Sequence, residues 1–292
     1  MQTRTLTRRS VLTGAAGAAV ALAGGSASLV STGALAADKP SLAILAPAAN
    51  GVITANAIDV QLKISNFSLD CAQAGRPDKQ GVGHLHVMLD TSTMATLTNF
   101  YCGEAFSIPG DGLTPGKHTL IVALASNTHM VMIDTAQMAV FDYQPAQPKP
   151  LPAANDQGKP GLTLVSPSDG STVSSKFTVT VKAANFTPTA NLEGKPNVPG
   201  YGHYHVFVDT PMMGMSAMAT PAAGVTGTPM AGGQMAMMSM AGMVLMPGSD
   251  TFDLDLSAWG PGKRTIWIEP VQNDHTQFES FGHVEFTVNV KG

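Results

Sequence analysis

Gly83-His84-Leu85-His86-Val87-Met88-Leu89-Asp90-Thr91 and Gly202-His203-Tyr204-His205-Val206-Phe207-Val208-Asp209-Thr210 are one pattern written twice. Each opens on a His-x-His pair, runs into an apolar stretch and closes on Asp-Thr, which reads as a strand ending in a turn. The repetition extends upstream. Leu42-Ala43-Ile44-Leu45-Ala46-Pro47 and Ile64-Ser65-Asn66-Phe67 answer Leu162-Thr163-Leu164-Val165-Ser166-Pro167 and Ala183-Ala184-Asn185-Phe186. Phe67 to His84 spans 17 residues, as does Phe186 to His203. Downstream, Pro115-Gly116-Lys117-His118-Thr119-Leu120 matches Pro261-Gly262-Lys263-Arg264-Thr265-Ile266, and His129 and His275 each follow 11 residues after His118 and Arg264. The chain carries two copies of one unit.

Each copy reads as short strands. Phe177-Thr178-Val179-Thr180-Val181-Lys182-Ala183 alternates with period two and is rich in β-branched residues. The stretches 119–124, 265–268 and 284–290 behave alike, and Asp169-Gly170 and Pro115-Gly116 supply turns. With 30 Gly and 20 Pro the chain is punctuated too often for long helices. About seven strands in about 105 residues point to an all-β fold of two tandem immunoglobulin- or fibronectin-like antiparallel sandwiches. The boundaries expected are residues 40–144 for the first sandwich and 161–292 for the second. Between them, residues 145–160 form a proline-rich spacer beginning Pro145-Ala146-Gln147-Pro148-Lys149-Pro150.

Residues 1–36 have another character. Thr7-Arg8-Arg9-Ser10-Val11-Leu12 precedes an uncharged, Ala- and Gly-rich stretch that ends in the small-x-small pattern Ala34-Leu35-Ala36. This reads as a twin-arginine signal peptide, cleaved before Ala37, which expects a periplasmic or secreted product with no later membrane span. Only 12% of residues are charged and the net charge is -4, with no basic stripe, which argues against a nucleic-acid partner. In an oxidising compartment Cys71 and Cys102 are expected to form a disulfide. Closing that loop is worth roughly 3–4 kcal/mol by the chain-entropy estimate.

The eight histidines fall four to a copy. Side chains at i and i+2 of a strand share a face, about 6.5–7 Å apart along the backbone. Two imidazoles placed so can converge on one ion, and a third nitrogen can come from the downstream Asn-x-His turn. The expected metal sites are therefore His84, His86 and His129 in one copy and His203, His205 and His275 in the other. Leu85, Val87 and Leu89 fall on the opposite face, expected to be the core, which would leave the histidines partly exposed. His118, replaced by Arg264, is expected to be peripheral, and His283 has no counterpart. The competing reading makes all these histidines structural.

The second copy is longer by 27 residues within a segment of about 211–247 that holds 11 of the 17 methionines. Met212, Met213 and Met215, then Met235, Met237, Met238 and Met240, are spaced so that two or three thioethers could meet one ion. Thioether sulfur selects Cu(I), and imidazole serves copper well. Their conjunction makes copper the expected cofactor. The alternative for this segment is a flexible apolar surface for another envelope protein.

The pattern Gly-His-x-His-apolar-x-apolar-Asp-Thr followed by Pro-Gly-Lys-His-Thr-Leu resembles a family of small exported bacterial domains of unknown function. The resemblance covers His84–Asp90 and Pro115–His129, then His203–Asp209 and Pro261–His275, with Arg264 departing from the family's His. It implies an immunoglobulin-like sandwich with a shared histidine cluster and no assigned activity. Three functions compete: a copper-handling or copper-tolerance protein, a non-catalytic envelope interaction or adhesion module, and a copper redox enzyme. The last has least support, since no nucleophile–base pair, spaced acid pair or phosphate loop is present.

Overall fold

In a computed structural model that describes residues 39–155, 158–210, 240–278 and 282–292, the two copies repeat each other strand for strand. The first copy runs β1 (Ser41–Ala46), β2 (Val52–Ile53), β3 (Ala57–Ser65), β4 (Ser68–Leu69), β5 (Val82–Leu89), β6 (Leu97–Tyr101), β7 (Ala105–Pro109), β8 (Gly116–Ser126) and β9 (Gln137–Tyr143). The second runs β10 (Gly161–Ser166), β11 (Ser171–Val173), β12 (Lys176–Ala184), β13 (Thr187–Pro188), β14 (Tyr201–Val208), β15 (Met243–Leu245), β16 (Thr251–Asp255), β17 (Gly262–Val271) and β18 (Val284–Val290).

Each copy folds into two sheets. One is three-stranded, β1-β3-β7 or β10-β12-β16. The other is six-stranded, β2-β9-β8-β5 or β11-β18-β17-β14, with β4 and β6, or β13 and β15, lying successively along the edge of the histidine strand. This is the two-sheet order of the immunoglobulin and fibronectin sandwiches, and the all-β class expected from the sequence is the one observed. Alternation does the sorting. Leu85, Val87 and Leu89 point inward with Leu120, Val122, Leu124 and Phe141, while Tyr204, Val206 and Val208 do the same in the second copy.

The outer faces of the two six-stranded sheets are not left to solvent. A third apolar cluster joins Met88, Leu97, Phe100 and Ile121 of the first copy to Phe207, Met240, Met243 and Met246 of the second. Residues 38–292 accordingly make one compact unit. The chain between β9 and β10 touches both copies: the Gly112 N–H donates to Lys149 O, and the Asn155 N–H donates to Pro199 O. Part of the methionine-rich segment belongs to the repeat itself. Met243 pairs with Phe207 as Leu97 pairs with Met88, each beside a register shift, so β15 is the counterpart of β6.

Cys71 and Cys102 form a disulfide that ties the turn after β4 to the end of β6. The second copy makes the same join without sulfur. Gly248 lies against Ala190, where an added Cβ would fall 2.0 Å from the Ala190 nitrogen. The turns after β4 and β13 also reach across to the other copy. A Cβ on Gly75 would fall 2.9 Å from Gly242 O, and one on Gly194 would fall 2.7 Å from Leu97 O. Both glycines have left-handed φ, +75° and +71°, so conformation and space require glycine together.

Gly194→Ala therefore drives the copies apart as well as straining the backbone. Gly170 shares the left-handed φ but faces open space, which makes it the control. Gly170→Ala is expected to cost about 1 kcal/mol and Gly194→Ala about 2–4 kcal/mol in unfolding free energy by denaturant titration. Equal losses at the two positions would mean that the close approach does not constrain the fold.

Candidate metal centres

β5 brings His84 and His86 to one face, and the turn after β8 brings His129 to the same place. His84 Nε2 lies 3.2 Å from His86 Nε2, which lies 3.3 Å from His129 Nδ1. The second copy brings the matching three rings together from β14 and the turn after β17, and there all three edges are short. His203 Nε2 and His205 Nε2 are 3.2 Å apart, and each is 3.1 Å from His275 Nδ1. Three vertices of a tetrahedron with metal–nitrogen bonds of about 2.0–2.1 Å lie about 3.3–3.4 Å apart. Both triads can hold a metal ion.

The third histidine of each triad owes its position to local strain and to the other copy. His129 and His275 adopt left-handed φ of 64° and 65°, uncommon for a residue with a side chain. Their turns are pinned by Asn127, whose Nδ2 donates to Pro77 O, and by Asn273, whose Nδ2 donates to Pro196 O. Each ring then crosses the interface. His129 Nε2 donates to Met243 O at 2.8 Å, and His275 Nε2 donates to Leu97 O at 2.7 Å. Since a carbonyl only accepts, both bonds fix the proton on Nε2 and turn the Nδ1 lone pair toward the centre.

Protons cannot satisfy such a triangle. With Nδ1 of His275 an acceptor, protons on both partner Nε2 atoms leave those two N–H groups facing each other, and one proton leaves a contact between lone pairs. A cation accepts all three lone pairs at once. The remaining Nδ1 atoms of His84, His86, His203 and His205 have no hydrogen-bond partner among the described residues. The strand histidines are thus not held by main-chain oxygens, as purely structural ones commonly are.

The expected exposure is corrected here. His84 and His203 are 0% exposed, His86 and His205 1%, and His129 0%; only His275 is partly buried. The cause is the second six-stranded sheet, which covers the face that a lone sandwich would show to water. Phe100 adds a wall to the first triad, its ring centroid 5.0 Å from that of His84 and 5.2 Å from that of His129.

Burial and the neighbouring rings hold His84, His203 and His205 well below the ordinary imidazole value. Burial, with the charges of His129 and His275, pushes His86 down to about 3. Burial also pushes His129 and His275 down to about 4, although each is opposed by its carbonyl bond. His275 adds to the depression at His86, and His129 to that at His205, across the interface.

Other histidines stand apart. His118 Nδ1 meets Asp90 at 2.9 Å and its Nε2 meets Thr114 O at 2.8 Å, so both nitrogens face acceptors. Arg264 replaces it beside Asp209, 3.6 Å away, so the position braces an aspartate in both copies and is peripheral to the triads. His283 is exposed. Met240 lies in the interface cluster, whereas Met212, Met213, Met215, Met235, Met237 and Met238 fall outside the described residues, as do residues 1–36, read above as a signal peptide. Among the described residues no helix is long and apolar enough to cross a membrane.

Sequence reasoning missed the anchoring carbonyls of Leu97 and Met243, which leave no mark in residue type. It also missed Glu269, which does leave one, as an acid directly after the apolar run Ile266-Trp267-Ile268 and before Pro270-Val271. Glu269 pairs with His205 across β17 and β14, is 0% exposed, and is pushed up to about 7 by burial.

No family model matches the chain, and no curated protein matches it. Solved structures similar to it include fibronectin(III)-like modules of Clostridium thermocellum CbhA, at 10% identity over 86% of this chain and 94% of that one, with a TM-score of 0.24. A tetra-tandem repeat from the extending region of a large adhesion protein is 11% identical over 87% of this chain and 50% of that one, TM-score 0.21. Bacteroides uniformis β-glucuronidase 3 is 6% identical over 86% and 25%, TM-score 0.23. Likenesses this weak bear no argument, and the fold rests on strand order. That order and the two triads define a duplicated immunoglobulin-type sandwich with one buried tri-histidine centre in each copy.

Unfolded histidine takes up its proton near pH 6.5, while the buried rings refuse it down to about 4 or about 3. The stability they contribute is whole above pH 6.5 and is lost as pH falls toward 4, each ring adding up to about 1.4 kcal/mol per pH unit. Denaturant titrations of metal-free protein at pH 7 and pH 4.5 should show a loss of several kcal/mol. Replacing His86 and His205 by Gln should flatten that slope; an unchanged slope would place the acid sensitivity elsewhere.

Proposed function

We propose that this is an exported copper-binding protein, active in copper handling or tolerance, that holds one ion in each tri-histidine centre. The observation that carries the reading is the convergence of three buried imidazole nitrogens, made twice, with three edges of 3.1–3.2 Å in the second copy and edges of 3.2 and 3.3 Å on His86 in the first. Charge favours copper over the common divalent ions. The first centre offers three neutral donors, and Ala123 stands across the sheet from His86. Among the described residues only the exposed Asp78, acting on His129, offsets a divalent ion there, and the desolvation of a buried charge grows with its square, about fourfold from a monovalent to a divalent ion. Cu(I) is monovalent, is well served by imidazole, and is the ion that thioethers select.

The methionine-rich segment fits the same reading as an acquisition arm. Its described end, Met240 to Met246, lies in the interface cluster, and Met243 supplies the carbonyl that orients His129. The twin-arginine segment would deliver the chain folded to the periplasm.

Anaerobic titration of Cu(I) against a chelator is the test, on the mature chain and on a form lacking residues 212–238 so that thioether binding is separated. Two tight equivalents with three nitrogen neighbours at about 2.0 Å by X-ray absorption are expected. His84→Ala with His86→Ala should remove one equivalent, and His203→Ala with His205→Ala the other. No binding at micromolar Cu(I) would overturn the reading. Lower stability of the variants at unchanged metal content would instead make the histidines structural and the protein an interaction module.

A further inference from the structure

The two centres share strand, turn and carbonyl anchor, and each has one aspartate acting on its third histidine, Asp78 on His129 and Asp274 on His275; three further replacements on the sheet face set them apart. Where the first has Ala123 across from His86, the second has Glu269 across from His205. Directly paired residues of an antiparallel sheet project to the same face, so Glu269 shares the face of the triad. Trp267, in phase with it two residues before, packs in the interface cluster, which fixes the direction. Gln277 Nε2 donates to Glu269 Oε1 at 2.6 Å, and Val131 stands where the second copy has Gln277. Glu269 Oε2 has no hydrogen-bond partner among the described residues, although the residue is fully buried. Third, Met246 takes the place of Phe100.

An isolated carboxyl in a dry sheet face, half satisfied, costs stability unless something calls for its charge. Of the three replacements only Glu269 can change the net charge of a loaded centre. With one aspartate acting on the third histidine in each copy, the sheet face decides the difference: a divalent ion among three neutral imidazoles meets no carboxylate there in the first copy and keeps both its charges. In the second copy the carboxylate reduces them to one, the charge that Cu(I) alone brings to the first. The thioether of Met246 is neutral and leaves this balance untouched.

We propose that the two centres differ in the charge of the ion they accept: the first takes monovalent cations only, and the second, with Glu269 as counter-charge, also takes a divalent cation. This rests on the triads being metal centres. It adds that a duplicated scaffold has been divided between ions of unlike charge, Cu(II) included.

Co(II) is the probe, since its visible spectrum reports tetrahedral nitrogen coordination directly. The chain lacking residues 212–238 should bind one Co(II), lost in His203→Ala with His205→Ala and kept in His84→Ala with His86→Ala. Glu269→Gln, which preserves shape and the contact with Gln277, should weaken Co(II) by 10–100-fold, while Cu(I) affinity at the same centre changes less than threefold. Ala123→Glu should bring Co(II) to the first centre. Equal Co(II) binding at both centres, or Co(II) affinity indifferent to Glu269→Gln, overturns the proposal even if both centres hold Cu(I). Glu269-dependent Co(II) binding without any Cu(I) binding would keep the proposal and remove copper.

Discussion

His129 and His275 are each held by a main-chain carbonyl of the opposite copy, and the rest of the arrangement follows from that exchange. Met243 and Leu97 occupy matching places on β15 and β6, so the exchange is reciprocal. The carbonyl fixes the tautomer, the tautomer directs the Nδ1 lone pair, and the lone pair completes the triangle. Neither copy alone can orient its third donor in this way. Close approach is what makes the reach short enough, and it is secured by Gly75 and Gly194 at the edges and by an apolar cluster in the middle. Duplication here is therefore a condition of the site rather than a doubling of it.

The same interface sets the electrostatics. Imidazoles on the outer face of a single sandwich would be hydrated and would titrate near their ordinary value. Covered by a second sheet, they are kept neutral by desolvation and lie ready as lone-pair donors. Burial also makes any imported charge expensive, because no water remains to share it. A dry triad thus discriminates by charge before it discriminates by size. One carboxyl added or omitted beside it, as at Glu269 and Ala123, is a large perturbation in such surroundings, though on an open surface it would be screened to little.

Much of this was legible in the sequence. Period-two alternation in Leu85, Val87 and Leu89 marked the core face, and the repeated His-x-His with its downstream Asn-x-His named all six rings that converge. The interface was harder to see. The outer face of β5 carries His84, His86 and Met88, which reads as a polar, exposed face until a second sheet covers it. The signal lay in the same phase of neighbouring strands: Phe100, Ile121, Phe207 and Trp267 are large apolar residues on what a lone sandwich would show to water. The twenty-seven-residue excess between His203 and Arg264 drew attention to methionine as a ligand. It hid the plainer fact that Met240, Met243 and Met246 occupy places of the repeat already present in the first copy. The carbonyl anchors could not be read at all, because every residue has a carbonyl and only the fold chooses which two matter.

The departures between the copies carry more information than their agreement. Shared features descend from a common unit and would persist whether or not they served the second copy. Differences had to be accommodated by an interface already tight enough to exclude a single Cβ at Gly194. Where the first copy has its disulfide, the second has a backbone approach at Gly248 that leaves no room for a side chain. Exchanging His118 for Arg264 kept the brace to an aspartate. Glu269 has no such equivalent, since one oxygen is bonded to Gln277 and the other to nothing described. A buried acid with one oxygen left over, set on the face of three convergent imidazoles, fits the proposal that a positive charge comes and goes beside it.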